Sequence, residues 1–253
     1  MYIVLTHDVD SIKRPLRHVL SRWRRFTISD LIRHIFHIDN LYNNFDELIS
    51  IEDSVGSRST VFIPVQLFSI DEIKDKLKTM IREGWEIQLH YVYEPIQYEA
   101  LFKMQKSYLE SELDIKVQGV RVHNLIINDS ILKMFEKEGI IYDTTYRAEA
   151  LNTYSPLYIH KKIIELPIAV MDADLFGRLH MSEEKALRYI FKKLENAKEK
   201  NEKIFVILFH QEALRMKGGR IYSDLVKMLY ERGYELVRCI DIVNRVLKGE
   251  IKV

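Results

Sequence analysis

A mostly parallel α/β fold is what this sequence predicts, on three observations. Short apolar, strand-like runs alternate with amphipathic stretches along almost the whole chain. With 253 residues, 47% of them apolar, the chain can bury one large α/β core. Polar residues of catalytic type collect just after the strand-like runs, the end at which α/β barrels and doubly wound sheets carry their active sites.

The strands are expected, in order, at Tyr2–Leu5, 59–65, 86–90 after Gly84, 117–122, 140–142, 163–168, 203–209 and 234–237. Between them the apolar residues of 30–50, 71–83, 96–113, 130–138, 182–200 and 222–232 recur every three or four positions, which predicts helices. Strand–helix alternation at this spacing implies a parallel sheet, either a barrel or a doubly wound sheet. The whole of 1–253 reads as one catalytic domain with a basic insertion at about 11–58, where Lys13, Arg14, Arg17, Arg22, Arg24 and Arg25 surround Trp23 and Phe26. That stretch is either a solvated helical face or an arm that grips an anionic substrate or partner.

Composition excludes several classes. Lys+Arg 38 against Asp+Glu 37 gives a net charge of +1, so no global charge favours nucleic acid or a membrane surface. The single cysteine, Cys239, excludes an internal disulfide framework and a multi-thiolate metal site. No apolar run approaches the ~20 residues that span a bilayer. The chain enters its first strand at once, without a signal-peptide pattern, and a cytoplasmic location is expected.

The first strand ends in Thr6-His7-Asp8-Val9-Asp10. Two residues apart on an extended backbone, Asp8 and Asp10 point to the same side, and two like charges held together need a cation, a shared proton or water to relieve them. At the corresponding ends of later strands stand His90, Arg121 with His123, Asp143, Asp172 with Asp174, and His210.

These residues resemble the polysaccharide deacetylases, carbohydrate esterase family four and its amidase relatives, from Thr6 to Gln211. The Asp-rich motif corresponds to Thr6–Asp10, the metal motif to His90-Tyr91-Val92-Tyr93-Glu94-Pro95, and the arginine motif to Gly119-Val120-Arg121-Val122-His123. Tyr142-Asp143, the segments Glu165–Pro167 and Met171-Asp172, and the strand ending in His210 follow in the order of that family. The resemblance implies an irregular, seven-stranded (β/α) barrel and a metal-dependent hydrolase of C–N amide bonds, most simply one that N-deacetylates an acetylated amino sugar.

The roles implied are specific. Asp8 is the general base, Arg121 its orienting partner, His210 the general acid, and Asp172, or else Asp174, the carboxylate that keeps His210 protonated. Asp10 and His90 hold a divalent metal, zinc first, with iron, manganese or cobalt as alternatives. The chain departs from the family at Glu94, which stands where a second histidine is usual. Glu94 is the expected third ligand, His123 or His7 its substitute, and a site without metal the remaining outcome. Tyr91 and His123 are placed as substrate-binding candidates, with core packing the alternative for Tyr91. A barrel that binds carbohydrate without turnover, an amidase on a non-sugar amide and an anion-binding module built on Lys13–Arg25 are the competing functions.

Overall fold

The computed structural model describes residues 1–253. Ten strands form a single sheet: β1 (Tyr2–Asp8), β2 (Thr60–Ile63), β3 (Glu86–Tyr91), β4 (Gly119–Val122), β5 (Tyr142–Asp143), β6 (Leu157–His160), β7 (Ile163–Glu165), β8 (Ile168–Met171), β9 (Ile204–Leu208) and β10 (Glu235–Val237). Along the sheet the order is β6-β7-β5-β4-β3-β2-β1-β9-β8, with β10 attached to β1. Only the β6–β7 hairpin is antiparallel. β1 is the hub: residues 2–4 pair with β10, residues 2–6 with β9 and residues 6–8 with β2. Residues 3–8 of β1 are fully or almost fully buried, as expected for a parallel strand covered on both faces.

Helices α1 (Leu16–Ser21), α2 (Ile28–Ile35), α3 (Phe45–Asp53), α4 (Lys74–Arg82), α5 (Tyr98–Leu113), α6 (Asp129–Lys137), α7 (Ala148–Leu151), α8 (Glu183–Glu199), α9 (Ile221–Glu231) and α10 (Cys239–Leu247) complete the fold. None is long and apolar enough to cross a membrane. The main core of 45 buried residues lies between the sheet and these helices.

The sheet curls as a half-barrel and is not closed by a continuous ladder: beyond β5, only the isolated bridge between Arg147 and Ile168 approaches β8. Two details differ from the sequence reading. The run 163–168 is two strands, β7 and β8, because Pro167 has no N–H to give a ladder and the chain changes neighbours there. The predicted helix at 30–50 is two helices, α2 and α3. Between them Asp39 Oδ1 accepts from Asn40 N–H at 2.8 Å and Asn40 Oδ1 from Tyr42 N–H at 3.0 Å, local bonds that compete with a helix.

Curling decides what the strand ends can do. On a flat sheet β1 and β4 stand three strand spacings, about 14 Å, apart. Yet Arg121 of β4 reaches Asp8 of β1 at 2.9 Å. Gly119 permits the local packing: a Cβ there would overlap the Tyr142 ring, whose hydroxyl donates to the buried Glu86 at 2.6 Å.

The segment 11–44 forms an arm beside the strand ends. Its own apolar cluster is small, with Val19, Phe26, Leu41 and Tyr42 buried. Arg215, from the loop after β9, ties it down through ion pairs to Asp30 and Asp39. Buried Gln211 donates to the carbonyls of Ser11 and Tyr42 and accepts from Asn44 N–H.

Candidate active site and metal centre

Three side chains converge where β1, β3 and β4 end. Asp10 Oδ1 lies 3.3 Å from His90 Nε2 and 3.3 Å from His123 Nδ1, and the two ring nitrogens are 3.2 Å apart. The Asp10 oxygen is buried and so aimed that it accepts a hydrogen bond from neither ring. Ligands about 2.1 Å from one metal ion lie about 3.0 Å apart in octahedral and 3.4 Å apart in tetrahedral geometry. This triangle, with its orphaned carboxylate oxygen, fits a divalent cation. His90 is pre-oriented for it: its Nδ1 faces the Arg121 carbonyl at 3.1 Å, which leaves Nε2 free to ligate.

Asp8 stands against one side of the triangle, its Oδ2 3.8 Å from His90 Nε2. Its other oxygen accepts from Arg121 Nη1 at 2.9 Å. Arg121 is fully buried and well partnered: beside the Asp8 bond, Nε donates to the Thr144 carbonyl at 2.8 Å, and Nη2 to the hydroxyls of Thr6 at 3.1 Å and Thr144 at 3.0 Å. Burial pushes the Asp8 carboxyl up, but Arg121, with His90 and His210 nearby, overrides it and leaves the group below the usual carboxylate range.

His210, just beyond β9, closes the opposite side. Its Nδ1 lies 2.7 Å from Asp172 Oδ1, and its Nε2 points inward, 3.7 Å from Asp10 Oδ2. Asp172 also accepts from the backbone N–H of His210 at 3.0 Å and of Ala173 at 2.7 Å, so it both tethers the ring and caps the π-helical turn 173–178. Burial disfavours the charged imidazole, yet Asp172 raises it well above the ordinary histidine value. Beside it, burial pushes Glu212 up to about 8.

No protein-family profile and no curated protein matches the sequence. Solved structures do match. A Mycobacterium smegmatis protein assigned as a polysaccharide deacetylase superposes with a TM-score of 0.74 at 14% identity, covering 99% of this chain and 91% of that one. The chain has the polysaccharide deacetylase fold. The PuuE allantoinase aligns at a TM-score of 0.73 and 11% identity over 100% and 92% of the two chains. A carbohydrate esterase family four pseudoenzyme from Bacillus anthracis aligns at 0.60 and 10% over 96% and 65%.

Within this polysaccharide deacetylase fold, Asp8, Asp10, His90, Arg121, Asp172 and His210 meet around one centre. Three expectations need correction. Glu94 does not join the ligand set: β3 ends at Tyr91, and Glu94 is exposed on the loop beyond it. His123, expected among the substrate contacts and named as the substitute ligand, takes the third corner. Tyr91 is not a substrate contact either. It is buried against Phe102 and Phe135, and its hydroxyl donates to the Tyr98 carbonyl at 2.8 Å. Asp174 turns away to Arg147 and Arg178. His7, on the other face of β1, bonds the Phe209 carbonyl, Glu52 and Tyr222.

Sequence reasoning missed the Thr6 and Thr144 hydroxyls that hold Arg121, although Thr6 shares the strand face of Asp8. It also missed the buried pair of Asp143 and Glu165, which are register partners on β5 and β7. Burial raises both, Asp143 to about 6, and their unpaired oxygens leave room for one shared proton.

The ligand assignment predicts unequal losses. In elemental analysis of purified protein, His123→Ala loses most of the bound metal, whereas Glu94→Ala retains the wild-type stoichiometry. Equal retention in both would remove His123 from the site.

Proposed function

We propose that this protein is a metal-dependent hydrolase of C–N amide bonds whose substrate is an N-acylated amino sugar. The carrying observation is that a three-residue ligand triangle stands between an arginine-held carboxylate and a carboxylate-held imidazole. The likeness of the fold to a polysaccharide deacetylase and to an allantoinase supports amide hydrolysis as the reaction class. A barrel without turnover fits less well, because every group the reaction needs is present and oriented.

Asp10, His90 and His123 would hold the cation. When bound, it supplies positive charge that acidifies nearby water and polarises the amide carbonyl. Asp8 Oδ2 takes the proton of the attacking water. Arg121 keeps that carboxyl ionised and fixes its other oxygen, so that only Oδ2 is free to act. His210 Nε2 gives its proton to the departing nitrogen, without which an amine is a poor leaving group, and Asp172 holds the ring in that state. A carboxylate of lowered pKa and an imidazole of raised pKa keep both groups in their working forms across neutral pH.

The test is release of acetate from a panel of N-acetylated amino sugars by metal-loaded protein, followed as a function of pH. The rate is expected to hold level through neutrality and to fall only above the ordinary imidazole range, as His210 loses its proton. In Asp172→Asn the largest cause of the upward shift is gone and burial remains, so the alkaline limb moves to lower pH. An unmoved limb, or no hydrolysis of any amide by the metal-loaded wild type, defeats the proposal.

A further inference from the structure

The cleft leading to His210 and Asp172 has a second wall, supplied by the arm. The cleft has a volume of about 630 Å³, and Arg14, Arg22 and Arg25 line it together with Asp10, Asp172 and His210. Two basic side chains of the neighbourhood have acidic partners: Arg33 pairs with Asp39, and Arg215 with Asp30 and Asp39. Arg14, Arg22 and Arg25 make no ion pair, nor does Lys217 at the rim, whose N–H is bonded to the Arg25 carbonyl at 2.6 Å. The acidic rim residue Glu183 is engaged by Gly218 N–H at 2.8 Å and lies 3.8 Å from Arg220.

The electrostatics of two neighbouring side chains accord with the three guanidiniums lining one cleft. His18, on α1, is held below the ordinary imidazole value by burial and then by Arg22, Arg14 and Arg25. Burial raises the phenol of Tyr42, and the same three arginines oppose that rise. Tyr42 is 3% exposed, lines the cleft, and its hydroxyl has no hydrogen-bond partner. Arg14, Arg22 and Arg25 are exposed to solvent, so their lack of an acidic partner costs little, but the buried unpaired hydroxyl of Tyr42 carries a cost that an anion held by the three guanidiniums would relieve. A carboxylate would need only one arginine fork. Three forks and a hydroxyl suit the several oxygens and double charge of a phosphate ester.

We infer that Arg14, Arg22, Arg25 and Tyr42 form a phosphate-binding subsite in the cleft, so that the amide-bearing substrate carries a phosphate or diphosphate ester. The substrate half of this statement rests on the hydrolase reading; the anion half does not. The acyl group enters between Asp8 and His210 while the phosphate, at the far end of the same molecule, docks against the arm. Binding energy gathered there orients the amide without touching it.

Isothermal titration with pyrophosphate at low ionic strength tests the subsite. Wild-type protein and Asp8→Asn should bind alike, and the affinity should fall as salt is raised. The double variant Arg22→Gln with Arg25→Gln should bind at least ~10-fold more weakly, the loss expected for charge-assisted hydrogen bonds. Tyr42→Phe should bind several-fold more weakly. Arg24→Gln, which stacks on Trp23 and does not line the cleft, should match wild type. Equal affinity in wild type and the double variant, or loss of binding in Asp8→Asn, overturns the subsite.

Hydrolysis then separates the two readings. A lower KM for N-acetylglucosamine 1-phosphate than for N-acetylglucosamine, abolished in the double variant, supports the substrate class. Pyrophosphate binding without hydrolysis of either sugar keeps the subsite and defeats the hydrolase. Competition of phosphatidylglycerol vesicles, but not phosphatidylcholine vesicles, with pyrophosphate assigns the phosphate to a lipid-borne sugar. Absence of competition assigns it to a soluble one.

Discussion

Asp8→Asn is expected to lower kcat by roughly 10²–10⁴ while leaving metal content unchanged, the size of effect that a positioned base contributes. Asparagine is the informative replacement because its amide oxygen can still accept from Arg121 Nη1, so the buried arginine keeps a partner. What disappears is the basic lone pair of Oδ2. Since Asp8 is not a corner of the ligand triangle, elemental analysis should show metal as in wild type. Loss of metal together with activity would make Asp8 a ligand rather than a base, and full retention of activity would remove it from the reaction. Single-turnover measurement is the preferred readout, because a slow product-release step can hide a change in chemistry.

Arg121→Met is expected to cost about 3–5 kcal/mol of stability, since it leaves the Asp8 carboxylate buried without its cation. For a chain of this size that corresponds to a fall in melting temperature of roughly 6–20 °C. Methionine keeps the length of the aliphatic stem over Phe62, against which the guanidinium packs 4.5 Å from the ring centroid, so lost charge dominates over lost packing. Combining Arg121→Met with Asp8→Asn removes the orphaned charge and should restore part of the loss. A double variant no more stable than the additive sum would mean that the hydroxyls of Thr6 and Thr144, rather than the ion pair, account for the effect.

Much of the centre was legible because strands alternate. Thr6 and Asp8 fall on one face of β1 by the two-residue period, Asp10 carries that period just past its end, and His90, Arg121 and His210 declare themselves as polar groups closing apolar runs. The sequence offered both Glu94 and His123 as the third ligand and did not decide between them. Both stand a few residues beyond a candidate position, and only the point at which each strand ends decides which turns inward. β3 ends before Glu94, whereas His123 directly follows β4. The Asp8–Arg121 contact was expected from resemblance, but its cause is curvature, which no local pattern records. The β6–β7 hairpin and the Asp143–Glu165 pair were missed for a related reason: four- and three-residue strands carry almost no period, and a pair across neighbouring strands depends on sheet order.

The small apolar cluster of the arm has a consequence for motion. Val19, Phe26, Leu41 and Tyr42 form a satellite of four buried residues beside a core of 45. Segments with few buried apolar contacts open at a small fraction of the global unfolding free energy. The chain therefore has two tiers of rigidity. Asp8, His210 and the Asp10–His90–His123 triangle ride on the strand ends and are expected to keep their spacing, while the wall carrying Arg14, Arg22 and Arg25 is expected to open first, about the tethers at Arg215 and Gln211. A ligand bridging the two tiers gives up part of its interaction energy to still the arm. Engagement and escape are then set by how often the arm detaches, a rate separable from that of bond cleavage.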